Sequence, residues 1–569
     1  MSLLEVNKLT IQFSQSHESI AVDSLSFTLN TGETLGIVGE SGSGKSLTGL
    51  AIMGLLPREA KVSGNIKFQP QENDDNENQE SYKLISLSEK EKQKIRGSKI
   101  SMIFQEPMTS LNPVLKCGKQ VEEVLEIHTY LSKSLRKDRV LELFSEVALP
   151  NPDEIYFKYP HQLSGGQRQR VMIALAIACK PLLIIADEPT TALDVTIQRE
   201  IINLLNALKV KHNLSIIFIS HDLGVISKIS DKILVLRKGK CVEFEYASKL
   251  FSSPEHEYSK ALLLCRPKVG ERLIRLPVVE DFITNKGEVI LANELKEVRE
   301  MNQKRLYSKI PILTLNNINS YFARNANIFG SNKNSIHVLK DVNLEIWKGE
   351  TVGLVGESGS GKTTLGRVIM HLIENVTGNI QYKGSEISKF KGKQLKNFRK
   401  TVQLVFQDPY SSLSPNQIIG NAILEPMIVH KIFKNRNEQL EKVFELFDLT
   451  GLHRDWFYRY PHQLSGGQRQ RIVIARALAL QPEILICDES VSALDVSMQA
   501  QILNLLNDLK TKLNLTYLFI SHDLAVVKYL ADRIIVMKNG QILEQGEADA
   551  LCANPINSYT KSLLESVFD

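Results

Sequence analysis

The chain has no apolar stretch long enough to cross a bilayer. Its longest uncharged, strongly apolar run is Val171–Cys179, nine residues, whereas a spanning helix needs about 20. Met1–Ser16 shows no basic flank followed by a long apolar stretch. No secretory leader is therefore expected, and the chain is expected to stay in the cytoplasm. Cysteine is scarce. Cys117, Cys179, Cys241, Cys265, Cys487 and Cys552 lie far apart with no CxxC pair. That argues against a disulfide framework, a zinc ribbon or an iron–sulfur cluster, and reduced structural thiols are expected. A dominant charge is missing too. The 69 Lys+Arg and 64 Asp+Glu leave +5 over 569 residues, too weak an overall bias to imply nucleic acid or acidic lipid. What remains is ordinary for a folded protein: 43% hydrophobic and 23% charged residues, enough to bury large cores. At roughly 150 residues per domain, the length suggests three to five structural units.

Two long strings occur twice. VGESGSGK stands at Val38–Lys45 and Val355–Lys362, and YPHQLSGGQRQR at Tyr159–Arg170 and Tyr460–Arg471. ISHDL (Ile219–Leu223, Ile520–Leu524) and ALDV (Ala192–Val195, Ala493–Val496) follow in the same order. The LSGGQ serine precedes the Asp of a DE pair by 23 residues in both copies, and the Glu of that pair precedes a His by 33. A solenoid repeats every 20–50 residues; a period of about 300 is the duplication of a whole domain. From the loop lysine to the glutamine of an FQ motif the first copy spans 60 residues and the second 45. The excess is Gln69–Ser81, polar, acidic and Asn-rich, and is read as a mobile loop without function of its own. Copy one is assigned to residues 1–265, a linker to 266–308, and copy two to 309–569. The linker carries nine basic and seven acidic residues. Within it, Glu294–Arg305 has the spacing of a short helix with Leu295, Val298 and Met301 on one side. Pro254, Tyr258, Ser259, Lys260, Leu262 and Leu263 are echoed at Pro555, Tyr559, Thr560, Lys561, Leu563 and Leu564, marking where each copy ends.

Each copy reads as an α/β nucleotide-binding core with a helical insert. Gly36–Val38 precedes the Gly-rich loop, and Leu47–Leu55 follows with helical spacing. Leu182–Ala186, Ser215–Ser220, Ile484–Cys487 and Thr516–Ser521 look like strands buried on both faces of a parallel sheet. Val140, Leu143, Phe144 and Val147, and again Leu440, Val443, Phe444 and Phe447, recur at helical intervals.

The chemistry sits on these elements. Gly39, Glu40, Ser41, Gly42, Ser43, Gly44, Lys45 and Ser46 match G-x-x-x-x-G-K-[ST]. Gly356, Glu357, Ser358, Gly359, Ser360, Gly361, Lys362 and Thr363 match it again. Small residues let successive N–H groups point at phosphate oxygens, and the following helix adds its positive end. Lys45 and Lys362 reach the β- and γ-phosphates, and the Ser46 and Thr363 hydroxyls suit Mg²⁺. Asp187 and Asp488, ending apolar strands, suit the water-mediated side of that metal. Glu188 and Glu489, one residue beyond, suit polarisation of an attacking water. His221 and His522, one residue past another strand, fall near the γ-phosphate. Gln105 and Gln407 can reach Mg²⁺ or the water. Ser164, Gly165, Gly166 and Gln167, and Ser465, Gly466, Gly467 and Gln468, resemble helix N-termini and make a second anion site per copy. One domain does not need two γ-phosphate sites, so each is expected to complete the site of the other copy. Phe13 and Phe322 could stack on adenine or could equally be core.

Together these motifs resemble the ATP-binding-cassette ATPases over both halves of the chain. Walker A, Q-loop, LSGGQ signature, Walker B with its Glu, D-loop (Ala192–Asp194, Ala493–Asp495) and H-loop are all present twice. IFQEPMTSLNP at Ile103–Pro113 and LVFQDPYSSLSP at Leu404–Pro415 narrow the likeness to the dipeptide/oligopeptide importer ATPases in fused tandem form. The resemblance implies two RecA-like cores, each with a parallel sheet, an antiparallel β-subdomain and a helical signature subdomain. It implies ATP and Mg²⁺ as cofactors. It further implies an intramolecular cassette pair in which Lys45 and Glu188 meet Ser465, and Lys362 and Glu489 meet Ser164. The implied partners are two transmembrane permease subunits docking near Gln105 and Gln407 and, indirectly, an extracytoplasmic solute-binding protein. No nucleic acid is expected, and the place is the cytoplasmic face of the bacterial membrane. Two departures stand out. Ser490 replaces Pro189 after the second Glu, which changes only backbone stiffness. After Cys265 there is no cysteine-bearing tail, so no iron–sulfur cluster is carried over. Tandem cassettes that act on ribosomes rely on a long charged helical linker, which this near-neutral linker does not match, and chromosome-organising or DNA-repair ATPases insert long coiled coils or zinc modules between these motifs, neither of which the sequence shows.

Overall fold

The structure is a computed structural model describing residues 2–13, 19–70, 81–191, 193–284, 291–323, 335–433, 435–492 and 494–567. Most of the predicted insertion (71–80) and the first residue of each D-loop motif lie outside these. The chain divides into two compact units. One comprises Met1–Leu193, Ile197–Leu263 and Val279–Gly287; the other comprises Asp194–Thr196, Leu264–Val278 and Glu288–Asp569.

In the first unit the central sheet has six strands in the order Lys240–Tyr246, Lys232–Arg237, Thr34–Val38, Ser215–Ile219, Leu183–Asp187, Ile100–Ile103. All neighbours are parallel except the first pair, an antiparallel edge hairpin. The predicted apolar runs are its middle strands. Every residue of Leu183–Asp187 and Ser215–Ile219 is buried, because helices cover both faces of a parallel sheet. A second, antiparallel sheet is ordered Ser19–Asn30, Ser2–Phe13, Ala60–Phe68, Tyr82–Lys83. One core joins the two sheets: Leu4, Val6 and Ile11 pack with Leu35, Ile37, Ile185 and Ile217. The helical insert follows as Cys117–His128, Lys133–Glu146 and Gly165–Ile177, with Val140, Leu143, Phe144 and Val147 buried as their spacing requires.

The second unit repeats this plan. Its six strands run Val402–Val405, Ile484–Asp488, Thr516–Ser521, Thr351–Val355, Arg533–Lys538, Gln541–Glu547, beside a four-stranded antiparallel sheet. Its insert comprises helices Ile419–His430, Arg436–Thr450 and Gly466–Leu478. There Val443 and Phe447 are buried, while Leu440 and Phe444 are half-buried.

The helix expected over Leu47–Leu55 runs instead over Lys45–Met53. It starts on the loop lysine itself because Gly44 (φ 99°) is its N-cap, and Gly54 (φ 64°) ends it in a left-handed C-cap.

Most of the segment between the copies, Leu264–Val278 and the part from Glu288 onward, belongs to the second unit, while Val279–Gly287 belongs to the first. The helix predicted there forms as Lys296–Tyr307, but Leu295, Val298 and Met301 are exposed and Arg299 is the buried residue. Arg299 pairs with Asp549, and with Glu547 at 3.1 Å. Lys528 meets Asp549 at 3.2 Å. Leu276 exchanges two backbone hydrogen bonds with the buried amide of Asn504, at 3.0 and 2.8 Å. The corresponding positions of the first copy are Tyr246, Ser248 and Ser227 in place of Glu547, Asp549 and Lys528, so only the second unit carries these charges. Burial would raise the Asp549 carboxyl, but Lys528, Arg272 and Arg299 hold it below the usual carboxylate range. A depressed native pKa gives stability that is present above the unfolded value near 3.8 and lost as pH falls through the native one. Asp549→Asn is therefore expected to lower second-unit stability by about 2 kcal/mol near neutral pH, by leaving Arg299 with Glu547 alone and Lys528 without its carboxylate. The deficit should shrink below pH 4. Urea titration at pH 7 and pH 3.5 reads both, and equal deficits at the two pH values would contradict the pairing.

Candidate functional site

In each unit the Gly-rich loop bridges the middle strand and the helix that starts on its lysine. The lysine turns back into the loop. Lys45 Nζ donates to the carbonyls of Gly39 (2.8 Å) and Glu40 (2.9 Å); Lys362 Nζ donates to those of Gly356 (2.6 Å) and Glu357 (2.9 Å). The first glycine is fixed by close approach. A Cβ on Gly39 would lie 2.2 Å from the backbone oxygen of Leu236, and one on Gly356 would lie 2.2 Å from that of Met537. Gly42 and Gly359 face open space. The Ser43 and Ser360 hydroxyls are buried without a hydrogen-bond partner. A lysine, open loop backbone and an unsatisfied buried hydroxyl together suit a phosphate chain.

Sequence reasoning missed one support of this loop. The Glu40 N–H donates to the Tyr258 hydroxyl, and the Glu357 N–H to that of Tyr559, both at 3.1 Å. The signal was the duplicated tail, which reads from sequence only as a domain end. Tyr258 is fully buried, and burial pushes the Tyr559 hydroxyl up to about 12.

Facing the loop, Ser46 Oγ donates to Asp187 at 2.9 Å and Thr363 Oγ1 to Asp488 at 3.0 Å. Burial raises both aspartates, Asp187 to about 6, against the opposing pull of these hydroxyls. A hydroxyl beside a carboxylate is a hard oxygen pair that fits Mg²⁺, which is held by one or two protein oxygens plus substrate phosphates.

Residue Glu188 follows its strand with φ 46°, and Glu489 with the same φ 46°. A left-handed non-glycine residue costs about 1–2 kcal/mol. Each is held there by its N–H, which donates across the sheet to Ile219 or Ile520 at 2.9 Å. Replacing Pro189 by Ser490 leaves this backbone unchanged. Two predicted groups converge on each carboxylate. Gln105 Nε2 donates to Glu188 at 2.9 Å and His221 Nδ1 lies 3.2 Å away; Gln407 donates to Glu489 at 2.6 Å and His522 lies 3.7 Å away. Burial would raise Glu188, but the hydrogen bond and charge of His221, with Lys45, hold it to about 2. Glu489 is likewise lowered, burial being outweighed by His522 and Lys362. In the first unit Thr191 adds a hydrogen bond to the carboxylate at 2.9 Å.

The signature motifs are helix N-termini. Ser164 and Ser465 each cap a 13-residue helix, and Gln167 and Gln468 close the reciprocal capping box. A Cβ on Gly467 would reach 1.8 Å from the Met498 methyl, the far end of a flexible side chain that can swing aside, so packing alone does not demand glycine there. Phe13 is half-buried against the core, whereas Phe322 is 44% exposed.

Residues 22–191 and 339–492 match the family described as ABC transporter. The chain belongs to the ABC transporter family. Along its whole length this ABC ATPase is 42% identical to the glutathione import ATP-binding protein GsiA of Escherichia coli K12, covering 89% of that protein. GsiA of Shigella boydii serotype 4 gives the same figures. Among solved structures, a dimeric post-hydrolysis ATP-binding cassette bound to ADP and phosphate is 28% identical over 42% of this chain and 98% of its own, with TM-score 0.38. A cassette from Clostridium perfringens that is part of an ABC transporter complex is 26% identical over 43% of this chain and 92% of its own, also at 0.38. As an ABC ATPase the protein binds and hydrolyses ATP, and the family works with membrane permeases. Among the described residues no helix is long and apolar enough to cross a membrane.

Proposed function

We propose that this ATPase drives uptake of glutathione-sized peptides across a bacterial cytoplasmic membrane. It would lie on the inner face and work through two separate permease subunits, with an external solute-binding protein delivering the peptide. The observation that carries this is the pair of Gln–Glu–His clusters, Gln105–Glu188–His221 and Gln407–Glu489–His522, each set beside a complete phosphate loop. Full-length likeness to glutathione import ATPases supplies the substrate class.

The chemistry follows from the groups present. The loop N–H groups and Lys45 or Lys362 bind the β- and γ-phosphates. Ser46 with Asp187, and Thr363 with Asp488, would hold Mg²⁺, which when bound neutralises phosphate charge during phosphoryl transfer. Glu188 and Glu489, kept ionised by their histidines, orient and polarise the attacking water. Gln105 and Gln407 hold the carboxylates and sense the γ-phosphate, and Phe13 and Phe322 offer faces for adenine. Ser164 and Ser465 with their glycines serve as the second anion grip, each completing the nucleotide site of the other cassette.

Exposed apolar side chains support permease docking beside each glutamine. Phe104 and Met108 in the first unit and Phe406 and Tyr410 in the second are 39–53% exposed. Met108→Glu with Tyr410→Glu is expected to abolish co-purification of the permeases while ATP affinity stays within twofold. For the transport itself, a strain lacking this gene should lose uptake of labelled glutathione or dipeptide. The wild-type gene should restore it, and the Glu188→Gln/Glu489→Gln gene should not. Undiminished uptake in the deletion strain would refute the assignment.

A further inference from the structure

The charge bias missing from the chain as a whole is present locally in the second unit. Residues 387–407 hold six basic side chains, Lys389, Lys391, Lys393, Lys396, Arg399 and Lys400, and no carboxylate, although Lys389 pairs with Glu386 just outside the span at 2.7 Å. The matching span of the first unit, 85–105, has five basic residues but also Glu89 and Glu91, and Glu89 pairs with Arg96. In the second unit the run forms helix Gly392–Thr401, anchored by buried Phe398, with Lys391, Lys393 and Lys396 exposed. Lys396 Nζ donates to the Val429 carbonyl at 2.8 Å, in the last turn of helix Ile419–His430. Burial, then the charges of Lys396 and Lys400, hold His430 below its usual range, so both cations stand at that helix end. Lys431 follows, also exposed. At the same place Ile428 is 50% and Val429 54% exposed.

A solvated surface normally mixes both signs of charge. Twenty-one residues without a carboxylate, beside an exposed aliphatic pair, are instead the chemistry of an anionic bilayer surface. Clustered Lys/Arg attract acidic headgroups, and aliphatic side chains enter the headgroup–acyl boundary. Helix Gly392–Thr401 leads directly into strand Val402–Val405, two residues before Gln407, and helix Ile419–His430 follows the loop after it. The patch thus flanks the segment assigned above to permease docking. We propose that it is a contact site for anionic phospholipid, built into the second cassette alone. The inference rests on the reading of this chain as a peripheral membrane ATPase.

Co-sedimentation of the full chain with vesicles containing no permease tests it separately from transport. Binding to 3:1 phosphatidylcholine:phosphatidylglycerol vesicles is expected, with little binding to phosphatidylcholine alone, and it should collapse between 50 and 500 mM NaCl as charges are screened. Lys391→Gln/Lys393→Gln/Lys396→Gln/Lys431→Gln should lower partitioning about tenfold or more. Lys90→Gln/Lys92→Gln/Lys94→Gln in the first unit should leave it within twofold. ATP hydrolysis in solution and the far-ultraviolet spectrum of the quadruple variant should match wild type, which shows that it folds. Undiminished vesicle binding by the quadruple variant would overturn the proposal, as would equal binding to neutral vesicles or equal loss from the first-unit triple. Failure of peptide uptake in the deletion strain's rescue, with vesicle binding intact, would fall on the transport reading alone.

Discussion

Glutamine at both Glu188 and Glu489 lowers steady-state ATP hydrolysis about a thousandfold or more, while ATP still binds with near wild-type affinity. The expectation follows from what each carboxylate touches. Its hydrogen-bonding contacts are Gln105 or Gln407 on one oxygen, joined by Thr191 in the first unit, and His221 or His522 on the other; the phosphate-loop lysine acts on it through charge alone. Glutamine keeps the shape and loses the charge that polarises water, and general-base losses run to about 10²–10⁴-fold. The loop, its lysine and its buried serine are untouched, so nucleotide binding should survive. Phosphate release and fluorescent-nucleotide titration on the same preparation read the two quantities. Hydrolysis persisting at more than a tenth of wild type would remove these residues from the reaction.

The second large effect is predicted at Gly39 and Gly356. A methyl group at either position would sit 2.2 Å from a backbone oxygen, that of Leu236 or Met537. Neither oxygen belongs to a flexible side chain that could swing aside, so the loop itself must move off its strand. Overpacking of this kind costs about 1–3 kcal/mol. The displaced N–H groups would no longer converge, and Gly39→Ala with Gly356→Ala should weaken ATP binding at least tenfold. Alanine at Gly42 and Gly359, which face open space but hold φ 78° and 81°, shows what a left-handed backbone costs without crowding. Equal losses in the two pairs would show that backbone strain rather than crowding decides.

The parts of this protein that were legible in its sequence are those fixed by short-range physics. Unbroken apolar runs such as Leu182–Ala186 could only be strands covered on both faces. Glycine spacing with a lysine dictated the phosphate loop. The duplicated 33-residue spacing sets Glu188 with His221, whereas only its FQ motif marks Gln105 as able to reach Mg²⁺ or the water, and its contact with Glu188 spans 83 residues of chain. What stayed hidden depended on distant partners. Leu295, Val298 and Met301 form a regular apolar stripe, yet the opposite side of that helix docks, because Glu547 and Asp549 offer Arg299 a better match than the core offers three aliphatic groups. Tyr258 and Tyr559 read as tail residues because nothing local shows that their hydroxyls accept from loops some 200 residues earlier. The edge strand Lys240–Tyr246 is half-exposed and polar, without the signature of a buried run.

Expressing the halves separately would expose how much the second unit depends on the connecting segment. A second half begun at residue 309 would inherit Asp549 and Asn504 stripped of Arg272, Arg299 and the Leu276 backbone that satisfy them. One begun at 264 would keep the full set.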